Sequence, residues 1–264
     1  MNRIDRKFAE LKQRGKKALI IFVTAGDPDL KTTERLIPEL FKAGADIVEI
    51  GVPFSDPLAD GPTIQASFLR AMKSEINMDK IFNMVGRIRK KCHDPILIMS
   101  AYNLIYRYGT RKFSNHAKQN GVDGVIFPDL IPDESGETVA DLKRNDIAPV
   151  FLAAPTSGKD RVRKVTAASG GFIYYITVTG ITGKQKPSEV DVRRQVSMIK
   201  RFTNLPVACG FGISTPRQAA SIGKIADGVI VGSAIVKLLA ESGSRQTRLK
   251  EVVKLTRKLR KALT

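Results

Sequence analysis

Long apolar runs are missing from this sequence of 264 residues. None approaches the roughly 18 consecutive apolar residues of a membrane-crossing helix, so such a helix is excluded. Cysteine is scarce: Cys92 and Cys209 stand alone, without metal-ligand spacing. Two separate thiols suit a reducing cytosol, and each reads as a small buried hydrophobe. Histidine is equally scarce. His93 and His116 are placed on helical stretches away from strand ends, so no serine has a histidine partner and a hydrolase triad is excluded. No lysine stands at a strand end, where a Schiff base would need one. The segment Met1–Lys7 is charged and lacks the apolar stretch of a secretory signal, so a cytoplasmic protein is expected.

Acidic residues are also in short supply. There are 26 against 44 Lys and Arg, which leaves a formal charge of +18. The excess gathers at the ends: net +5 over residues 1–17 and net +6 over residues 241–264. Both ends read as amphipathic helices, with Ile4, Phe8 and Leu11 on one face of the first, and Leu249, Val252, Val253, Leu259 and Leu263 on one face of the second. Solvated outer faces of packed helices explain that pattern. A nucleic-acid surface is the sharper alternative, but no aromatic interleaving or nucleic-acid motif accompanies it. Either way, the positive field favours an anionic substrate.

What is present is a repeat of strand and helix. Apolar, β-branched runs occur at Ala18–Thr24, Asp46–Ile50, Pro95–Ser100, Gly124–Phe127, Ala148–Leu152, Phe172–Thr177, Leu205–Cys209 and Gly228–Val231. Helical patterns separate them. Near-continuous apolar strands alternating with helices indicate a parallel sheet covered on both faces. Eight such units in this length predict an α/β fold of one kind, a single closed (β/α)8 TIM barrel spanning residues 1–264, with an extra N-terminal helix. The working face of such a barrel lies at the C-terminal ends of its strands. Thr24, Asp27, Glu49, Asp60, Tyr102, Asn103, Asp129 and Thr156 all fall there.

The second strand carries the sharpest signal. Glu49 sits inside Asp46–Ile50, and alternation puts it on the same face as Ile47 and Gly51. A carboxylate among buried apolar residues is costly unless it is paired or does chemistry. Asp60 follows, beyond a loop holding Pro53 and Pro57. Two carboxylates in unlike surroundings can take different acid–base roles. The expectation is a dry Glu49 with a raised pKa and a wetter, ionised Asp60. The strands before Gly210–Ser214 and Gly232–Ile235 both run into glycine turns, and the second turn opens a helix. Those are the seventh and eighth loops, the usual place for a phosphate. The polar, glycine-rich stretch 179–187 after the sixth strand has the composition of a lid.

These segments together resemble the tryptophan synthase α subunit family. The likeness is carried by Phe22–Pro28, Glu49–Gln65, Gly121–Leu130, Ala154–Thr156, Thr179–Gly183 and Gly210–Ser214, and it spans nearly the whole chain. It implies a lyase that cleaves indole-3-glycerol phosphate to indole and glyceraldehyde 3-phosphate by a retro-aldol reaction. The resemblance makes Glu49 and Asp60 catalytic. It gives Phe22, Tyr174 and Phe211 to the indole, puts Tyr102 at the border of the site, and gives Thr182, Gly183, Gly212, Gly232 and Ser233 to the substrate with its phosphate. It implies no cofactor in this subunit, and a β partner that binds pyridoxal phosphate in an αββα tetramer. Pro53, Asp56, Leu58 and Asn103 would meet that partner. Leu104 and Ile131, near the same face, stand where the family commonly has proline, as does Ile21 before Phe22. The residues alone leave other readings open: a freestanding lyase on the same substrate, a sugar-phosphate isomerase using Glu49 as base, or a basic nucleic-acid-binding barrel.

Overall fold

A computed structural model describes residues 1–57, 60–177, 188–210 and 212–263. Eight parallel strands close into a barrel in sequence order. They are β1 (Ala18–Thr24), β2 (Ile47–Gly51), β3 (Ile96–Met99), β4 (Gly124–Phe127), β5 (Ala148–Ala153), β6 (Ile173–Ile176), β7 (Val207–Gly210) and β8 (Gly228–Val231). Around and below them lie α1 (Arg3–Gln13), α2 (Leu30–Lys42), α3 (Pro62–Met72), α4 (Met78–Arg89), α5 (Tyr102–Tyr108), α6 (Thr110–Gln119), α7 (Gly136–Arg144), α8 (Lys159–Ala168), α9 (Glu189–Lys200), α10 (Pro216–Gly223), α11 (Ser233–Ala240) and α12 (Arg245–Ala262).

The strands separate two apolar layers, as their alternation requires. Val23, Val48, Ile50, Ile98 and Val231 point outward into the shell packed under the helices. Ile20, Phe22, Ile47, Leu97, Met99, Tyr174 and Ile230 fill the interior. Tyr174 faces in and Tyr175 faces out, because neighbours on a strand take opposite sides. Helix α1 plugs the bottom. Its Ile4 is fully buried, and the Phe8 ring lies 5.7 Å from that of Phe172. The plug fits because Gly124 has no side chain: a Cβ there would come within 2.9 Å of Ile4 Cδ1.

The strand starts are stitched by carboxylates. Asp46 accepts the Leu19 N–H at 2.8 Å, Asp123 accepts that of Ile96 at 2.9 Å, and Asp227 accepts that of Val207 at 2.9 Å. Asp123 also holds Arg3 at 2.8 Å and pairs with Arg89. At 3% exposure it is the hub that fastens the plug to the barrel. Removing one partner of a buried charge network strands the others. Asp123→Ala is therefore expected to cost about 3 kcal/mol or more, read as a fall in the urea midpoint.

Several boundaries differ from the sequence reading. Helix α4 ends at Arg89, and His93 lies in the following loop rather than on a helix. Leu205 and Pro206 precede β7 rather than belong to it. Pro206 has no N–H for a ladder, though its carbonyl accepts the Ile173 N–H at 2.8 Å. Gly51 extends β2 by one residue past the expected end.

Candidate active site

Glu49 stands in register between Phe22 on β1 and Leu97 on β3, facing inward. Its side chain is 0% exposed. Both carboxyl oxygens are buried without a hydrogen-bond partner among the described residues. Burial alone raises its pKa to about 8. An ionised carboxylate here would lose its hydration and gain no donor, so the proton stays on at neutral pH.

Asp60 approaches from the loop before α3. The loop is held by its own polar atoms: Gln65 Nε2 donates to the Asp60 carbonyl at 2.9 Å, and the Asp60 N–H donates to Pro57 at 3.2 Å. Helix α3 is pinned to the first loop by Arg70, which grips both oxygens of Asp27 at 2.9 and 2.7 Å. Thr24 and Ser67 share a 2.6 Å hydrogen bond beside it. Thr24 and Asp27 thus position the mouth. Asp60 is drier than its sequence suggested: it is 7% exposed, and burial followed by the nearby Asp129 charge raises its pKa to about 6. The expected contrast between a dry and a wet carboxyl becomes one of degree. Asp60 remains mostly ionised at pH 7, whereas Glu49 does not.

Tyr174 is buried in the same barrel interior. Burial and the charges of Glu49 and Asp60 push its hydroxyl well above its ordinary pKa. It stays neutral at pH 7. The rings of Phe22 and Tyr174 occupy space that two glycines vacate. A Cβ on Gly51 would fall 2.4 Å from Phe22 Cζ, and one on Gly210 would fall 2.7 Å from the Tyr174 hydroxyl. Gly51→Ala should push the Phe22 ring into the site. The expected result is a KM raised about tenfold with a stability loss of about 1 to 3 kcal/mol. Steady-state kinetics with thermal melts would check it, and an unchanged KM would count against Phe22 as a wall.

Two cavities meet at Asp60 and Met99, which line both. One, of about 290 Å³, is bounded by Phe22, Tyr174, Ile230, Gly212, Gly232 and Ser233. Gly212 has a φ of +74°, a conformation that glycine allows, and space for a side chain stays open there. Helix α11 starts at Ser233 and presents its N-terminus to the same cavity. The other cavity, of about 500 Å³, is bounded by Phe54, Asp56, Asn103 and Asp129 among others.

The structure thus brings Phe22, Asp60, Tyr174, Gly212, Gly232 and Ser233 to one cavity, while Glu49, fully buried in register with Phe22, lines neither cavity. Asp56 and Asn103 line the other cavity, and Pro53 lies half-buried in the same loop. Tyr102 departs from expectation and lines neither cavity. Its ring packs edge-on to Phe127 at 6.4 Å, its hydroxyl meets Thr138 at 3.1 Å, and its N–H donates to Asp129 at 2.9 Å. Leu58, Thr182, Gly183, Phe211 and the lid stretch 179–187 lie outside the described residues. Sequence reasoning missed Met99, which joins the cavities, and Gln65, which latches the loop. The interior position of Met99 follows from alternation with Leu97. Gln65 carries no such sign. No group of three or more potential metal ligands occurs among the described residues.

A closed eight-stranded parallel barrel with two buried carboxyls at its C-terminal mouth defines an acid–base enzyme of the (β/α)8 class. The model of one family, described as tryptophan synthase alpha chain, matches residues 8–264. The chain belongs to that family. It is 51% identical over 238 residues to the tryptophan synthase alpha chain of Geobacter sulfurreducens, covering 90% of each chain. It is 45% identical over 263 residues to that of Caldanaerobacter subterraneus, covering all of both. The crystal structure of tryptophan synthase subunit alpha from Legionella pneumophila superposes with a TM-score of 0.91 at 34% identity, covering 100% of this chain and 98% of that one. The chain is accordingly a carbon–carbon lyase of tryptophan biosynthesis that cleaves indole-3-glycerol phosphate. These relatives favour neither the isomerase nor the nucleic-acid-binding alternative.

Proposed function

We propose that Glu49 and Asp60 divide the proton transfers of this cleavage between them. The protonated Glu49 carboxyl donates to indole C3, which makes the ring an electron sink. Asp60, ionised, accepts a hydrogen bond from the indole N–H and stabilises the positive charge that develops there. The Glu49 carboxylate then takes the proton of the glycerol hydroxyl. The C–C bond breaks, its electron pair returns to the ring, and indole and the aldehyde part. Phe22 and Tyr174 wall the indole. Gly212, Gly232 and Ser233, at a glycine turn and a helix N-terminus, hold the phosphate, with Thr182, Gly183 and Phe211 completing the site. The observation that carries this reading is a fully buried Glu49 carboxyl without a hydrogen-bond partner among the described residues, in register with Phe22, which lines the same cavity as Asp60.

The cavity bounded by Asp56 and Asn103 adjoins the substrate cavity at Asp60 and Met99. That continuity supports a docking face for a β partner, which would carry pyridoxal phosphate and receive indole, in an αββα assembly in the cytoplasm. Pro53 belongs to the same loop, and Leu58 is assigned to this face by the family resemblance alone. Chemistry at Glu49 and Asp60 calls on no cofactor of this subunit. The test is indole release from indole-3-glycerol phosphate, alone and with a β subunit. Turnover that rises on mixing, together with co-migration, is expected. Turnover without either effect would leave the lyase assignment intact and reject the assembly.

A further inference from the structure

At the opposite end of the barrel a cavity of about 440 Å³ opens between α1 and the turns leading into β1, β7 and β8. Buried Phe8 and Leu11, with half-buried Leu205 and Pro206, form its apolar wall. Lys12, Lys16, Lys17 and Lys200 also line it, with Asp227 as the sole acid of the lining. That acid is already satisfied. Lys200 Nζ holds its carboxylate at 2.8 and 2.9 Å, and the Val207 N–H donates to it at 2.9 Å. Lys12, Lys16 and Lys17 have no carboxylate partner among the described residues, while the neighbouring Lys7 and Arg14 both reach Glu10. Three lysines without a carboxylate partner among the described residues thus line one concavity. A multiply charged anion in the cavity would supply the counter-charge that these side chains lack.

We propose that this cavity is a second anion site, separate from the substrate mouth, that takes a compact polyphosphate group. A monoanion would neutralise only one of the three ammonium groups, whereas adjacent phosphates can contact all of them. The volume falls in the range of small-molecule pockets, roughly 300 to 1,000 Å³. The lysines line one cavity of bounded volume, which suits a small polyanion better than a nucleic-acid strand. The same group could arrive as inorganic pyrophosphate or as the tail of a nucleoside triphosphate, whose base the apolar wall could cover.

Isothermal titration of the full chain with pyrophosphate, and separately with ATP, at about 0.15 M salt tests the proposal. One saturable site per chain is expected for at least one probe. Similar affinities would mean that the phosphates alone are recognised, and tighter ATP binding that the apolar wall holds the base; either supports the site. Lys12→Gln with Lys16→Gln should weaken binding about tenfold or more. The charge-matched pair Lys254→Gln with Lys258→Gln, on the exposed face of α12, should change it less than about twofold. Both pairs should keep the melting temperature and the rate of indole release. If the first pair alters the melt, Lys16→Gln alone, beyond the end of α1, serves instead. No saturable binding of either probe, or the same response from both pairs, would overturn the proposal, because net charge and not this cavity would then be responsible.

Discussion

Glu49→Gln should reduce indole release by about a thousandfold or more while the barrel stays folded. Glutamine nearly matches the shape of a protonated glutamate, but its amide cannot supply the C3 proton. The same variant should change how stability depends on pH. In the folded chain the Glu49 pKa is about 8, against an ordinary value of 4.5. Between those values the folded chain binds one proton more than the unfolded chain, so this residue makes stability fall as pH rises through the window. The contribution is fully present below the ordinary value and gone above about 8. Glutamine has no proton to lose. Relative to the native chain, the variant should gain about 4 kcal/mol between pH 5 and pH 9. Urea unfolding at several pH values would show it. Parallel curves for the two proteins would mean that Glu49 is not a buried acid, and its role as proton donor would go with it.

Asp60→Asn should lower turnover by about a hundredfold or more, with little change in fold. The pH profile separates this role from that of Glu49. Asp60 must be ionised, and its pKa is raised to about 6. Glu49 must be protonated, and its pKa is raised to about 8. Log kcat/KM should therefore climb through about pH 6, peak near neutrality and fall through about pH 8. In Asp60→Asn the acidic limb should disappear while the alkaline limb stays. An acidic limb that persists in the variant would assign it to another group.

The barrel was legible because its pattern is local. Each strand is an apolar run buried on both faces, and eight runs alternating with amphipathic helices leave few other ways to cover them. Alternation also put Glu49 on one face with Ile47 and Gly51, and Tyr174 and Tyr175 on opposite faces; the two apolar layers show that Tyr174 is the one inside. The glycine turns after the seventh and eighth strands could be read in the same way, since conformational freedom belongs to the residue itself.

What the sequence by itself determined was therefore the fold, the alternation of faces along each strand and the kind of chemistry a buried glutamate invites. Tertiary structure decided the surroundings of Asp60, which closure of its loop through Gln65 and the approach of Asp129 make drier than composition implied. It turned the Tyr102 ring away to Phe127, made Asp27 an anchor for Arg70, and joined two cavities at Met99. The reason is physical: which face a residue takes depends on its own strand or helix, whereas its pKa and its partners depend on segments that only folding brings within reach.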